Sequence, residues 1–352
     1  MTAPVELLRV SGKKGQRGSE VGEYHYARCC VFDDEYSRLY VSDCFNNRIV
    51  VLSAEGLEVL GVFGTEGSGP MNFKYPNGVA VDYATRSLLV SDSRNHRVQV
   101  FRIEEGPDDK PDGRGPCPSH VYSHTLGDRR GSELGQLNFP VGVTVDKTNR
   151  SEEGPSVFVS DNLNHRIAVF SRQGRALYTF GRLGAEPGML KEPQGMCFSA
   201  DAKSLLVADH GNNRIQEFAP DGAFLRTFSM LGSPSDIALD AARGYLFATE
   251  YIANRVQVFT RDGRPLFHFG SPPESAVQDQ FKNPISVAVS ARGSICVVDY
   301  NHHRVTLWAL LRNPSSPNRP RRPLRPAVFR IFYFCLFVFL FTVVHFTDWI
   351  SI

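Results

Sequence analysis

No two of the seven cysteines in this 352-residue chain are spaced Cys-x-x-Cys. Cys29, Cys30, Cys44, Cys117, Cys197, Cys296 and Cys335 are scattered and odd in number, which argues against a zinc knuckle or a disulfide framework and suits a reducing compartment. Neither Gly-x-Ser-x-Gly nor His-Glu-x-x-His occurs, so the two commonest hydrolase signatures are missing. An excess of charge of one sign is lacking as well. The 39 Lys and Arg against 37 Asp and Glu leave +2, which by itself gives no field for a polyanion. The first twelve residues hold no apolar run of signal-peptide length.

What is present is repetition. Val41-Ser42-Asp43-Cys44-Phe45-Asn46-Asn47-Arg48-Ile49-Val50-Val51-Leu52 returns as Val90-Ser91-Asp92-Ser93-Arg94-Asn95-His96-Arg97-Val98-Gln99-Val100-Phe101. Four further copies pair Asp161 with Arg166, Asp209 with Arg214, Glu250 with Arg255, and Asp299 with Arg304. In all six an acid precedes an arginine by five positions, an Asn or His stands before the arginine, and a β-branched residue follows it. Successive acids lie 49, 69, 48, 41 and 49 residues apart, a spacing that belongs to propellers and solenoids.

Strand-like runs flank each copy, so the acid-to-arginine segment reads as a hairpin turn. Asp and Asn suit such a turn because their side chains bond nearby backbone. The acid and arginine are expected to face each other as an exposed pair, which contributes about 0.2–1 kcal/mol. Upstream of each turn lies a small, β-branched run, such as Pro76-Asn77-Gly78-Val79-Ala80-Val81-Asp82, expected to be a buried inner strand. Downstream, Phe63-Gly64, Leu126-Gly127, Phe180-Gly181, Phe228 and Phe269-Gly270 close the unit. Four antiparallel strands in about 40–50 residues make a propeller blade. The expected fold is therefore all-β, a six-bladed propeller over residues 1–311.

The sixth unit stops after its third strand, and Val5–Ser11 has the apolar character of the missing fourth. That pairing would close the ring and cover its open edges. Residues 104–119 and 148–156 read as surface insertions in the second and third blades. Phe73, Leu137, Leu190 and Phe281, each three before a proline, read as plugs between adjacent blades rather than as ligand-binding groups.

After residue 311 the composition changes. Residues 312–326 form a Pro- and Arg-rich linker expected to stay extended. Residues 327–347 are 21 positions dominated by Phe, Val, Leu and Ile. As a helix they would span roughly 31 Å, enough for a bilayer core of about 30 Å. A short tail, 348–352, follows. Arg319, Arg321, Arg322, Arg325 and Arg330 crowd the propeller side of the span, so the expectation is a single-pass tail anchor with the propeller facing the cytoplasm.

The turn signature resembles the NHL repeat, in Asn95-His96-Arg97-Val98, Asn164-His165-Arg166-Ile167 and Asn212-Asn213-Arg214-Ile215. The Pro-x-Gly-Val-Ala-Val-Asp segment resembles that family too, and the likeness covers residues 5–310. Glu250 and Ala253 in the fifth copy, and His302 in the sixth, depart from the pattern. The resemblance implies several uses. NHL propellers recognise RNA or protein at the end of tripartite-motif ubiquitin ligases, and related lyases and lactonases hold a metal in the central channel. The residues ahead of the first blade leave no room for a RING finger or coiled coil, so ligase chemistry is not expected from them.

Residue chemistry sorts these readings. His96, His165 and His303 occupy turn positions set by the repeat, His302-His303 has no spaced partner, and His120 and His124 flank a proposed outer strand. No catalytic, cofactor or metal residues are assigned. The inter-blade loops carry nine basic and nine acidic residues, which makes a polyanion surface unremarkable. The reading is a non-enzymatic protein-interaction scaffold. RNA binding or a substrate-recognition role in ubiquitination is the alternative, a metal-dependent hydrolase or lyase is third, and DNA is not expected. Loop-face candidates for binding are Arg129, Arg130, Tyr75 and Phe139. Asp43, Arg48, Asp92, Arg97, Asp161, Arg166, Asp209, Arg214, Glu250, Arg255, Asp299 and Arg304 are structural pairs.

Overall fold

A computed structural model describes residues 4–107, 109, 115–127, 129–148, 153–230, 232–271 and 280–311. The linker, the apolar span and the tail lie outside the described residues. Among those described, no helix is long and apolar enough to cross a membrane.

Six four-stranded antiparallel sheets follow one another along the chain. The first blade is Ala27–Asp33, Arg38–Asp43, Arg48–Ser53 and Val59–Phe63, from inner to outer strand. The second is Pro76–Asp82, Ser87–Asp92, Arg97–Glu104 and Ser119–Leu126. The inner strands of blades three to five are Pro140–Val145, Pro193–Phe198 and Pro234–Asp240. Blade six contributes Pro284–Val289, Ser294–Asp299 and Arg304–Leu310, and its outer strand is Val5–Ser11. The closing pairing runs from Val5 opposite Leu310 to Ser11 opposite Val305, with a bulge at Leu8.

The apolar core lies between the blades. Six buried clusters occur among the described residues, each formed by two neighbouring sheets. This is why the second and third strands read as nearly unbroken Val, Ile and Leu: both of their faces are covered. Phe73, Leu137, Leu190 and Phe281 are buried beside the glycine that ends the preceding blade. A Cβ at Gly64 or Gly127 would lie 2.4 Å from Phe73 or 2.7 Å from Leu137. Both glycines have positive φ, +91° and +79°, so conformation and space both demand glycine there. The plug reading of these apolar residues agrees with this packing.

The Asn or His before each arginine stitches the ring together. Each sits in the left-handed region, as Asn47 at φ 53°, His96 at 55° and His303 at 52° do. From there its side chain reaches the next blade. His96 Nδ1 accepts from Phe139 N at 3.1 Å, His165 Nδ1 from Glu192 N at 3.1 Å, and His303 Nδ1 from Tyr26 N at 3.3 Å. Asn47 Oδ1 accepts from Tyr75 N at 3.0 Å, and Asn254 Oδ1 from Asn283 N at 2.7 Å. Asn Oδ1 and His Nδ1 occupy the same place on the side chain and both accept, which explains why these two residue types alternate.

Protonating such a histidine removes the acceptor. Burial holds the pKa of His96 and of His303 below the ordinary value, helped by Arg130 at His96 and by His25 and Arg17 at His303. A depressed folded-state pKa means the unfolded chain takes up the proton first. The contribution is therefore whole above about pH 6.5 and is lost as pH falls through the lower folded values. Replacing His96 and His303 together by Asn should make the melting temperature less acid-sensitive between pH 7 and 5. Scanning fluorimetry reads this, and parallel curves for variant and wild type would contradict it. His120, pushed down to about 3 by burial, gives both proteins a shared acid slope. That residue lies within the strand Ser119–Leu126 rather than beside it, with its ring stacked on Phe63 at 4.1 Å.

Candidate interaction face and central channel

The hairpin turns and the inter-blade loops share one face. Five of the six turns are short 3₁₀ segments such as Ser93–Asn95, the blade-five turn at 251–254 being a plain turn, and each is closed by the left-handed residue. The acid is not at the surface: Asp43, Asp92, Asp161, Asp209 and Asp299 are 0% exposed and Glu250 is 1%. The expectation of an exposed pair is therefore corrected. Asp92 accepts from Lys74 N at 2.7 Å, Asn95 Nδ2 at 2.8 Å, Arg97 Nε at 2.9 Å and Gln99 Nε2 at 3.2 Å. Arg97 Nη2 then donates to Gly69 O at 2.8 Å and Asn72 O at 3.1 Å. The pair thus ties the preceding inter-blade loop to the turn, and that loop shields it from water. Arg48, Arg166 and Arg214 bind loop carbonyls in the same way. In the sixth blade His302 Nδ1 takes the Asn position, 2.8 Å from Asp299 Oδ2.

A band of half-buried aromatics crosses this face over blades five, six, one and two. Ring centroids are 6.2 Å apart for Tyr251 and Tyr300, 4.7 Å for Tyr300 and Tyr26, 5.0 Å for Tyr26 and Phe45, and 4.6 Å for Phe45 and Tyr75. The Arg28 guanidinium lies 5.0 Å from the Tyr300 ring centre, and that of Arg94 lies 3.7 Å from Tyr75. Leu163 and Ile252, the second residues of their turns, are 46% and 68% exposed. They occupy the place that Phe45 and Arg94 hold in blades one and two.

Of the four loop-face candidates, the structure brings Tyr75 into this band. Phe139 stands in the equivalent place before blade three, half-buried and at φ 58°. Arg129 and Arg130 are exposed in the loop before it, with Arg130 close enough to His96 to depress its pKa. The band itself was missed from sequence, because its members come from three separate positions of the repeat.

The inner strands enclose a channel of about 370 Å³. Its wall is uneven two residues after each inner-strand start. Blades two, three and four have Gly78, Gly142 and Gly195 there, backbone against backbone; a Cβ on Gly142 would lie 2.3 Å from Gln194 O. Blades five, six and one have Asp236, Ser286 and Cys29. These three form a contiguous arc: Ser286 Oγ donates to Asp236 Oδ2 at 2.6 Å and lies 3.7 Å from Cys29 Sγ. Val287 N and Ile237 N also donate to the Asp236 carboxyl, at 3.2 and 2.9 Å. Even so, burial raises its pKa to about 7. Burial likewise raises the thiols of Cys29 and Cys197, and a protonated thiol is unreactive. The departure from glycine in three consecutive blades was the sequence signal for this arc.

Asp34 and Asp236 are the carboxylates lining the channel, and among the described residues no three His, Cys, Asp or Glu groups converge as a metal site. On the face opposite the turns, the blade-two insertion folds back on blade one. Arg38 binds Glu105 and Asp109, each at 2.6 Å, and Arg86 binds Asp33 at 2.6 Å.

Comparison with known proteins agrees with this architecture. The NHL repeat family matches residues 73–101 and 281–306, in the second and sixth blades. NHL repeat-containing protein 3 of Homo sapiens and that of Mus musculus are each 30% identical over 105 residues, 29% of this chain and 30% of theirs. The chain thus matches under a third of those relatives' length. A chain in the crystal structure of a nidogen–laminin complex superposes with a TM-score of 0.56 at 16% identity, covering 77% of this chain and 95% of that one. A streptogramin B lyase structure gives 0.54 at 13%, covering 87% and 98%. At such identities the likeness concerns fold alone. Blades one, three, four and five repeat the buried acid, its arginine and the left-handed Asn or His of the two matched repeats, and the chain is a six-bladed β-propeller that carries NHL repeats in its second and sixth blades.

Proposed function

We propose that this propeller is a non-catalytic protein-interaction platform that takes its partner on the hairpin-turn face. Residues 327–347 would hold it at a membrane, with the propeller on the side the linker arginines select. The supporting observation is the aromatic band with Leu163 and Ile252 exposed beside it, because partly exposed aromatic and arginine side chains are the usual anchors of protein interfaces. RNA is favoured less. Arg28 and Arg94 already cover ring faces of Tyr300 and Tyr75, and the other rings lean on one another, which leaves few open faces for bases. A channel metal enzyme is favoured less still, given the two lining carboxylates.

Proximity labelling in cells separates the two parts of this reading. Leu163→Asp with Ile252→Asp should lose a specific set of neighbours while the melting temperature holds, since both side chains are exposed. Removing residues 313–352 should lose the membrane neighbours instead. Identical neighbour sets for all three proteins would contradict the proposal.

A further inference from the structure

The channel end opposite the hairpin turns carries two opposite charges that do not meet. Asp34 follows the inner strand of blade one and Lys147 that of blade three, and both line the same cavity of about 370 Å³. Among the described residues they form no ion pair within 4.0 Å. Tyr83 of blade two stands between them. Its hydroxyl accepts from Asp34 N at 3.1 Å, and its ring lies 4.9 Å from Lys147 Nζ. Asp34 Oδ1 is pinned by Ala291 N at 2.9 Å.

Both side chains remain open to solvent, yet burial raises the Asp34 pKa and lowers that of Lys147. A concave rim does both, admitting small molecules while stripping bulk water from the charges. Just inside the rim the lining turns apolar, with Val81, Val145, Leu239 and Val289 from four different blades. A cavity of this size falls at the lower end of small-molecule sites, which are apolar with a few placed polar groups.

We propose that this rim binds an amino-acid-sized zwitterion with an apolar side chain, its carboxylate on Lys147, its ammonium on Asp34, and its side chain pointing into the channel. Asp34 and Lys147 act on each other only at longer range, and such a ligand would bring each a partner of opposite sign at ion-pair distance. A simple anion would meet Asp34, and a simple cation would meet Lys147. The site is independent of the turn face and of any partner bound there.

Calorimetric titration of the full chain with L-leucine, L-phenylalanine, N-acetyl-L-leucine and L-leucinamide tests this. Both amino acids should bind saturably at one per chain, and each capped derivative should bind at least about tenfold more weakly, since a charge-assisted contact is lost. Lys147→Met should no longer distinguish leucine from leucinamide. Asp34→Asn should no longer distinguish leucine from its N-acetyl derivative. Absence of saturable binding by either amino acid, or capped forms within about twofold of their parents, would overturn the proposal. If a variant fails to fold, the wild-type series alone decides.

Discussion

Removal of residues 1–12 should lower the melting temperature by more than about 10 °C, or abolish the cooperative transition. The segment is the outer strand of blade six, paired from Val5–Leu310 to Ser11–Val305. Val5 and Leu7 pack on the cluster that contains Trp308, and Ser11 Oγ lies 2.9 Å from Tyr24 OH. Without it, Arg304–Leu310 becomes a seven-residue edge strand, open to pairing with other chains. A ring has no spare blade to absorb that loss, because each inter-blade cluster needs both of its sheets. Adding a peptide of residues 1–12 should recover part of the stability. An unchanged melting temperature for the truncated protein would contradict closure by this strand.

Asp92→Ala should cost about 3–5 kcal/mol in urea unfolding, whereas Glu104→Ala should stay within about 0.5 kcal/mol. Both acids face arginines. Arg102 and Glu104 are 61% and 44% exposed, so water screens them. Asp92 is 0% exposed and serves four donors. The Coulomb attraction is not what makes the difference: burial raises the Asp92 pKa despite Arg97, so the charge itself is costly. What the alanine leaves behind is the penalty. Lys74 N and Arg97 Nε would keep donors without an acceptor, and Asn95 Nδ2 and Gln99 Nε2 would each lose one of two acceptors. Equal effects for the two substitutions would mean that the turn pairs are ornamental.

The ring was legible because its signals are local and repeated. Acid, Asn or His, and arginine lie within six residues of one another, and six copies at blade spacing leave little else for the chain to form. The closing strand was legible because blade six visibly lacked one. Burial of the acids was not legible, since it depends on loop carbonyls some 25 residues upstream, as Asn72 O is to Arg97. The Arg38–Glu105–Asp109 contacts were hidden for the same reason: they join blade one to an insertion about 70 residues later. The channel arc was half legible. Gly78, Gly142 and Gly195 mark where inner strands touch, and Asp236, Ser286 and Cys29 stand out against them. That the three bond to one another required the ring to be closed.

Backbone amide hydrogen exchange at residues 5–11 tests the closed six-sheet ring most directly. The paired arrangement predicts protection comparable to that of residues 304–310 and loss of protection in both segments together. Exchange of residues 5–11 at free-peptide rates, with 304–310 still protected, would contradict it.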